Sequence, residues 1–126
     1  MRTSSIRILV ALIALAGAVA GPVTSQSERQ PLFAVRFQPG AGWDKSKSPN
    51  EQTGFASHSA NLQRLRRDGS IVLGGRFADL GLIVVKASDA AAARAMFVSD
   101  ATIDAKVFTI QIDPWSTIFE GCTGGT

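Results

Sequence analysis

Apolar residues follow two different spacings along this chain. Short apolar runs with two-residue alternation predict β-strands, and apolar residues recurring every three or four positions predict amphipathic helices. Strands are predicted over residues 32–37, 70–73, 80–86 and 106–112. Helices are predicted over residues 52–68 and 90–98. The predicted order of elements is therefore β-α-β-β-α-β.

Turn-forming residues define where these elements end. Gly69 follows the first helical pattern and suits its carboxyl-terminal cap. The five residues from Gly75 to Asp79 form a connection of hairpin length between the second and third strands. Asp113-Pro114 is expected to end the last strand. The stretch from Gln38 to Asn50 is rich in proline and glycine and is predicted to be a loop.

This order predicts an α+β fold of the ferredoxin-like type, with two helices on one face of an antiparallel sheet. The other face of such a sheet has no cover within one chain. A homodimer packed sheet to sheet is therefore expected, because large aromatic side chains outside the core need a dry environment. The candidate interface residues are Trp43, Trp115 and Phe119.

The amino terminus has the three parts of a secretory signal peptide. Arg2 and Arg7 precede an apolar run, and Ala18-Val19-Ala20 resembles a cleavage site. Residues 1–20 are therefore predicted to be a signal, which implies a periplasmic or secreted protein. The alternative is an uncleaved amino-terminal anchor, although the apolar run is shorter than the roughly 20 residues of a membrane span.

Without its signal, the chain divides into a linker (21–31), one domain (32–115) and a short tail (116–126). The whole chain carries a net charge of +3 from 13 basic and 10 acidic residues. Removing Arg2 and Arg7 leaves a net charge of +1. This balance does not predict a nucleic-acid partner, nor a membrane partner after cleavage. The single cysteine, Cys122, excludes an intramolecular disulfide and leaves open a free thiol or a bond to another chain.

Several short segments resemble the YCII-related domains, a family of small ferredoxin-like proteins that form dimeric α/β-barrels. The resemblance covers residues 32–115, and its segments are Gly54-Phe55-Ala56-Ser57-His58, Gly74-Gly75-Arg76-Phe77, Asp79 and Ile112-Asp113-Pro114-Trp115. Family members carry a histidine on the first helix and an aspartate after the second strand. The resemblance therefore implies an acid/base pair of His58 and Asp79.

The chain departs from the family pattern at two places before its last strand. Asp100-Ala101 stands where family members have Asp-Pro, and Ala105-Lys106 stands where they have Ala-Gly. Both differences lie near the end of the second predicted helix. They bear on the shape of the pocket more than on the fold.

The only histidine of the chain, His58, is the strongest candidate for chemistry. It lies on the apolar arc of the first helix, where imidazole can act as a general acid or base near neutral pH. Asp79 is expected to orient it, and Arg76 and Trp43 are candidate substrate-binding residues. Alternatively, His58 only ties the helix to the sheet, and Arg76 only lies in water. No metal or other cofactor is expected, since one histidine and one tail cysteine cannot form a zinc site without several carboxylates.

Two functions from different classes follow. The first is an enzyme of the lyase, hydrolase or isomerase type, acting on a small organic molecule through His58 and Asp79. The second is a non-catalytic protein of the cell envelope that binds a small molecule or has a structural role. A His58 nitrogen that reaches a pocket favours the first function, and a ring with both nitrogens bonded favours the second.

Overall fold

The structure is a computed structural model that describes residues 29–121. The predicted signal peptide (1–20), most of the predicted linker and Cys122 lie outside these residues. The elements are β1 (Leu32–Pro39), α1 (Phe55–Arg67), β2 (Ile71–Phe77), β3 (Leu80–Lys86), α2 (Ala90–Ala95), α3 (Ala101–Asp104) and β4 (Phe108–Trp115). A single 3₁₀ turn, Pro49–Glu51, precedes α1.

The four strands form one antiparallel sheet in the order β2-β3-β1-β4. β1 is central, and its Val35 lies opposite Ile83 of β3 on one side and Ile112 of β4 on the other. The prediction of an α+β fold with an antiparallel sheet is therefore confirmed. Among the described helices, none combines the length and the apolar character needed to cross a membrane.

The hydrophobic core lies between one face of the sheet and the helices. Alternate residues of β1 (Phe33, Val35 and Phe37) point to this face. They pack with Leu65 of α1 and with Phe97, which follows α2. Each such side chain contributes about 1.5–3 kcal/mol on full burial. The sheet and the helical layer are held together mainly by this cluster.

The helical layer differs from the prediction in number. The second predicted helix ends at Ala95 instead of Val98, and a separate four-residue helix, α3, follows it. Three α-helices are therefore present instead of two. The carboxylate of Asp100 caps α3 by accepting hydrogen bonds from Thr102, and this cap starts a new helix.

Three strands are longer than predicted. β1 continues to Pro39 instead of ending at Phe37. β2 continues through its glycines to Phe77, so the hairpin turn to β3 consists only of Ala78 and Asp79. β4 continues through Pro114 to Trp115. A proline is tolerated there because β4 is an edge strand, paired only with β1, and needs no hydrogen bond on its outer side.

Glycines in the left-handed region flank α1. Gly69 has φ +74°, and the Ser70 N–H donates to the Leu65 carbonyl at 3.0 Å, as in a Schellman cap. The predicted cap at Gly69 is thus confirmed. Gly54, with φ +79°, is the residue before the helix, so α1 begins at Phe55 and not at Gln52.

Candidate functional site

A cavity of about 580 Å³ lies between α1, β2 and the helix-facing side of the sheet. All four predicted site residues (Trp43, His58, Arg76 and Asp79) border it. They come from the loop after β1, from α1, from β2 and from the β2–β3 turn. The fold therefore brings together residues that are widely separated in sequence, in a cavity of the size that accepts a small organic molecule.

His58 lies one turn into α1 and is only 5% exposed. Aromatic rings surround it: the Phe37 ring meets it edge-on at 5.0 Å between centroids, and the Phe108 and Phe55 rings lie at 5.4 and 5.8 Å. Its Nδ1 lies 2.6 Å from Oδ2 of Asp100. The ring is therefore fixed by packing on several sides and by one short hydrogen bond.

Asp100, at the start of α3, is the hydrogen-bond partner of the His58 imidazole. Its side chain is fully buried, and its other oxygen, Oδ1, accepts hydrogen bonds from the Thr102 N–H at 3.0 Å and the Thr102 hydroxyl at 2.6 Å. Burial alone would raise the pKa of the Asp100 carboxyl, but the hydrogen bonds from His58 and Thr102 outweigh this and lower its pKa. Asp100 is therefore an ionised acceptor, and Nδ1 of His58 carries the proton that it accepts.

The other ring nitrogen of His58 is open. Nε2 makes no hydrogen bond to the described residues. Every fully buried side-chain nitrogen or oxygen among these residues has a hydrogen-bond partner, so Nε2 is not fully buried. Nε2 must therefore reach accessible surface, and the cavity is the surface that His58 borders. With the proton on Nδ1, Nε2 presents a lone pair to whatever occupies the cavity.

The carboxylate bonded to His58 is not the predicted one. Asp79 borders the same cavity, but it is exposed at the tip of the β2–β3 hairpin and makes no hydrogen bond to His58. Asp100 takes that position because α3 packs against α1. A direct chemical role for Asp79 stays a prediction. The sequence signal for Asp100 was its spacing from Thr102, which is typical of a helix cap.

Arg76 and Trp43 complete the walls of the cavity. In the sheet register, Arg76 lies opposite Gly81, which lies opposite Phe37, so Arg76 is on the helix-facing side. The Trp43 ring packs against Phe108 at 5.6 Å between centroids. Trp43 is half-buried at the cavity, on the helix side of the sheet, and not on the opposite face that was predicted to form a dimer.

One buried polar residue, which the sequence did not single out, fixes the loop that carries Trp43. Gln52 is 4% exposed, and its side-chain amide donates to the carbonyls of Asp44 and Lys47 at 2.7 and 3.2 Å. Its side-chain oxygen accepts from the Asp44 N–H at 3.0 Å. These bonds replace regular secondary structure in the loop and hold it beside the cavity.

Within residues 29–121, no three histidine, cysteine, aspartate or glutamate residues lie close enough to hold a metal ion. Comparison with protein-family models and with curated proteins found no match to the chain. Its function is therefore inferred from the geometry of the cavity.

Proposed function

We propose that this protein performs acid/base chemistry on a small organic molecule, with His58 as the group that transfers the proton. The observation that carries the proposal is the difference between the two imidazole nitrogens. Nδ1 is held 2.6 Å from a buried carboxylate, and Nε2 faces the cavity. This arrangement is suited to general base catalysis, since the carboxylate fixes the tautomer and stabilises the imidazolium that forms.

In the proposed step, the Nε2 lone pair removes a proton from a carbon or oxygen of the bound molecule. His58 becomes positively charged, and the ionised Asp100 lies next to that charge. The electron pair stays on the substrate until the same proton, or one from water, returns to another of its atoms. Return of a proton to another substrate atom fits an isomerase. In a lyase, the electron pair instead expels a leaving group, which takes the proton from Nε2. In a hydrolase, His58 removes the proton from a water that attacks the substrate, and then gives that proton to the leaving group as its bond to the substrate breaks.

A deuterium-exchange experiment tests this proposal. Acetophenone, pyruvate and phenylpyruvate are incubated in D₂O with the wild-type protein or with His58→Gln, and loss of the α-proton signal is followed by NMR. We expect exchange of at least one probe to be about a hundredfold faster with the wild type, which is the usual scale of general base catalysis. Equal rates with both proteins would exclude proton transfer by His58 for this class of compound.

The same exchange experiment with Asp79→Asn distinguishes the roles of the Asp79 and Asp100 carboxylates. Asp79→Asn leaves the Asp100 hydrogen bonds untouched. A loss of exchange in this variant would show that Asp79 takes part in the proton transfer. An unchanged rate would show that Asp100 orients His58 without help from Asp79.

The alternative function is non-catalytic binding or a structural role in the cell envelope. The short His58–Asp100 hydrogen bond supports this alternative, because the bond links α1 to α3 whether or not a reaction occurs. The exchange experiment separates the two functions, since a binding protein would give no acceleration with any probe.

We also propose that the chain is a YCII-related domain of ferredoxin-like topology that forms a dimer through the sheet face opposite the helices. The strand order β2-β3-β1-β4 and the helices on one face support the topology. Leu73 and Phe77 support the dimer, since they are 41% and 53% exposed on the opposite face. Large apolar side chains exposed on the same face of one strand are a feature of interfaces.

Sedimentation of the purified chain tests the dimer. We expect the wild type to sediment as a dimer and Phe77→Ser to shift it toward monomer. The matched control is Val98→Ser, which alters an apolar residue that is 77% exposed but lies outside the sheet. A monomeric wild type, or an equal effect of both substitutions, would contradict a dimer formed through this face.

A further inference from the structure

Two arginines border the cavity without an ion-pair partner. Arg66 of α1 and Arg76 of β2 form no salt bridge with any carboxylate in the described part of the chain. Arg67 and Arg94 likewise form no salt bridge there, so what distinguishes Arg66 and Arg76 is their position at the cavity. Asp79 is the one carboxylate at the cavity wall, so the wall carries an excess of positive charge. An anionic ligand would balance that excess.

The rest of the cavity is suited to a flat apolar group. Phe37, Phe55 and Phe108 supply aromatic rings around His58, and Trp43 packs on Phe108. Opposite them, β2 contributes Gly74, whose missing side chain leaves the strand backbone bare on the cavity side. A Cβ at Gly74 would meet only ordinary contacts at 3.6–3.7 Å, so neither the backbone angle nor close packing requires glycine there.

The fold separates the two arginines along the cavity. Arg76 is in the same row of the sheet as Phe37, two strands away, which corresponds to about 10 Å between backbones. Phe37 packs directly on His58. Arg66 lies eight residues after His58 on α1, about 12 Å farther along the helix axis. Arg76 is therefore at the His58 end of the cavity, and Arg66 is at the other end.

We propose that the cavity binds a small aromatic carboxylate, with its carboxylate on Arg76 and its ring among Phe37, Trp43 and Phe108. In this orientation the ring and its substituents lie between the guanidinium and Nε2 of His58. Recognition by Arg76 is bidentate, as the planar guanidinium fork allows. The inference rests on the proposed function only in taking this molecule as the one on which His58 acts.

Trp43 fluorescence provides the test. The chain has two tryptophans, and the other, Trp115, does not border the cavity, so Trp115→Phe leaves a single reporter at the cavity. Benzoate, benzamide and acetate are titrated into this variant. We expect benzoate to bind at least about tenfold more tightly than benzamide, because only benzoate pairs with a guanidinium. Acetate is expected to bind more weakly than benzoate, because it lacks the ring.

Matched substitutions locate the anion and the ring. Arg76→Gln should weaken benzoate binding about tenfold without changing benzamide binding, whereas Arg66→Gln should change neither by more than about threefold. Phe108→Ala should weaken benzoate and benzamide binding by similar factors, because it removes one of the three rings proposed to contact the ligand.

Three results would overturn the proposal: no saturable response to benzoate, equal affinity for benzoate and benzamide, or a larger effect of Arg66→Gln than of Arg76→Gln. The titration involves no turnover. If benzoate binds as expected while deuterium exchange is absent, the proposed catalysis fails and the ligand class stands. If exchange is present while benzoate does not bind, the ligand class fails alone.

Discussion

Asp100→Ala is expected to cost this protein about 3–5 kcal/mol of unfolding free energy, because each buried donor left without an acceptor costs about 1–3 kcal/mol and a lost helix cap costs about 1 kcal/mol. The substitution leaves three donors without an acceptor: Nδ1 of His58 and the backbone N–H and hydroxyl of Thr102. It also removes the cap of α3. Since domains of this size are stable by only about 5–15 kcal/mol, urea denaturation should show a large fall in the midpoint.

The pH dependence of stability provides a second measurement of the same residue. The pKa of Asp100 is lowered in the folded protein, so on acidification the unfolded chain takes up its proton first. The stabilisation is complete above the ordinary carboxyl pKa of about 4 and is lost as the pH falls through the lower folded-state value. Asp100→Ala should flatten this part of the curve. Asp104→Ala, an exposed aspartate of the same helix, should leave stability within about 0.5 kcal/mol.

Asp100→Asn separates the tautomer of His58 from its packing. An amide has one acceptor oxygen, and Thr102 offers two donors to it. The amide NH₂ is then left to face His58 and donates to Nδ1, so the imidazole proton moves to Nε2. Nitrogen-15 chemical shifts of the single histidine should report this change. A ring that keeps its proton on Nδ1 in this variant would show that Asp100 does not set the tautomer.

The parts of the fold that were predictable are those encoded by long local patterns. β1, α1 and β3 have apolar periodicities that survive in the structure with shifts of a few residues at their ends. Gly69 was predictable as a cap because only its local conformation matters there. The strands that were misjudged depend on their neighbours, since Pro114 is acceptable in β4 only because that strand is at an edge.

The residues that border the cavity were predictable from the sequence, but the hydrogen-bond partner of His58 was not. His58, Asp79, Arg76 and Trp43 all border one cavity, although Trp43 was also predicted to lie at the dimer face. The acceptor for His58 depends instead on α3, a four-residue helix with almost no periodicity of its own. Asp100 is 42 residues from His58 in sequence, and nothing local indicates that α3 returns to α1.

Gly54→Ala is the second substitution with a large expected effect, about 2–5 kcal/mol of destabilisation. Gly54 has φ +79°, a region that costs an L-residue about 1–2 kcal/mol. An added Cβ would also lie 2.8 Å from the Ala101 carbonyl carbon and 2.9 Å from the Ala101 Cβ, and such overpacking costs about 1–3 kcal/mol. Ala101 is the neighbour of Asp100, so relief of this overlap moves α1 and α3 apart and lengthens the His58–Asp100 hydrogen bond.

Gly69→Ala is the matched control, because Gly69 has nearly the same angle, φ +74°, at the other end of the same helix. A Cβ at Gly69 meets nothing within 4 Å, so only the conformational cost of about 1–2 kcal/mol is expected. The difference between the two variants in urea denaturation therefore measures the contact between Gly54 and Ala101. Only Gly54→Ala should weaken protection of the His58 Nδ1 proton from exchange. Equal destabilisation by both substitutions would mean that α1 approaches α3 without steric constraint, and that the His58–Asp100 bond alone holds the two helices together.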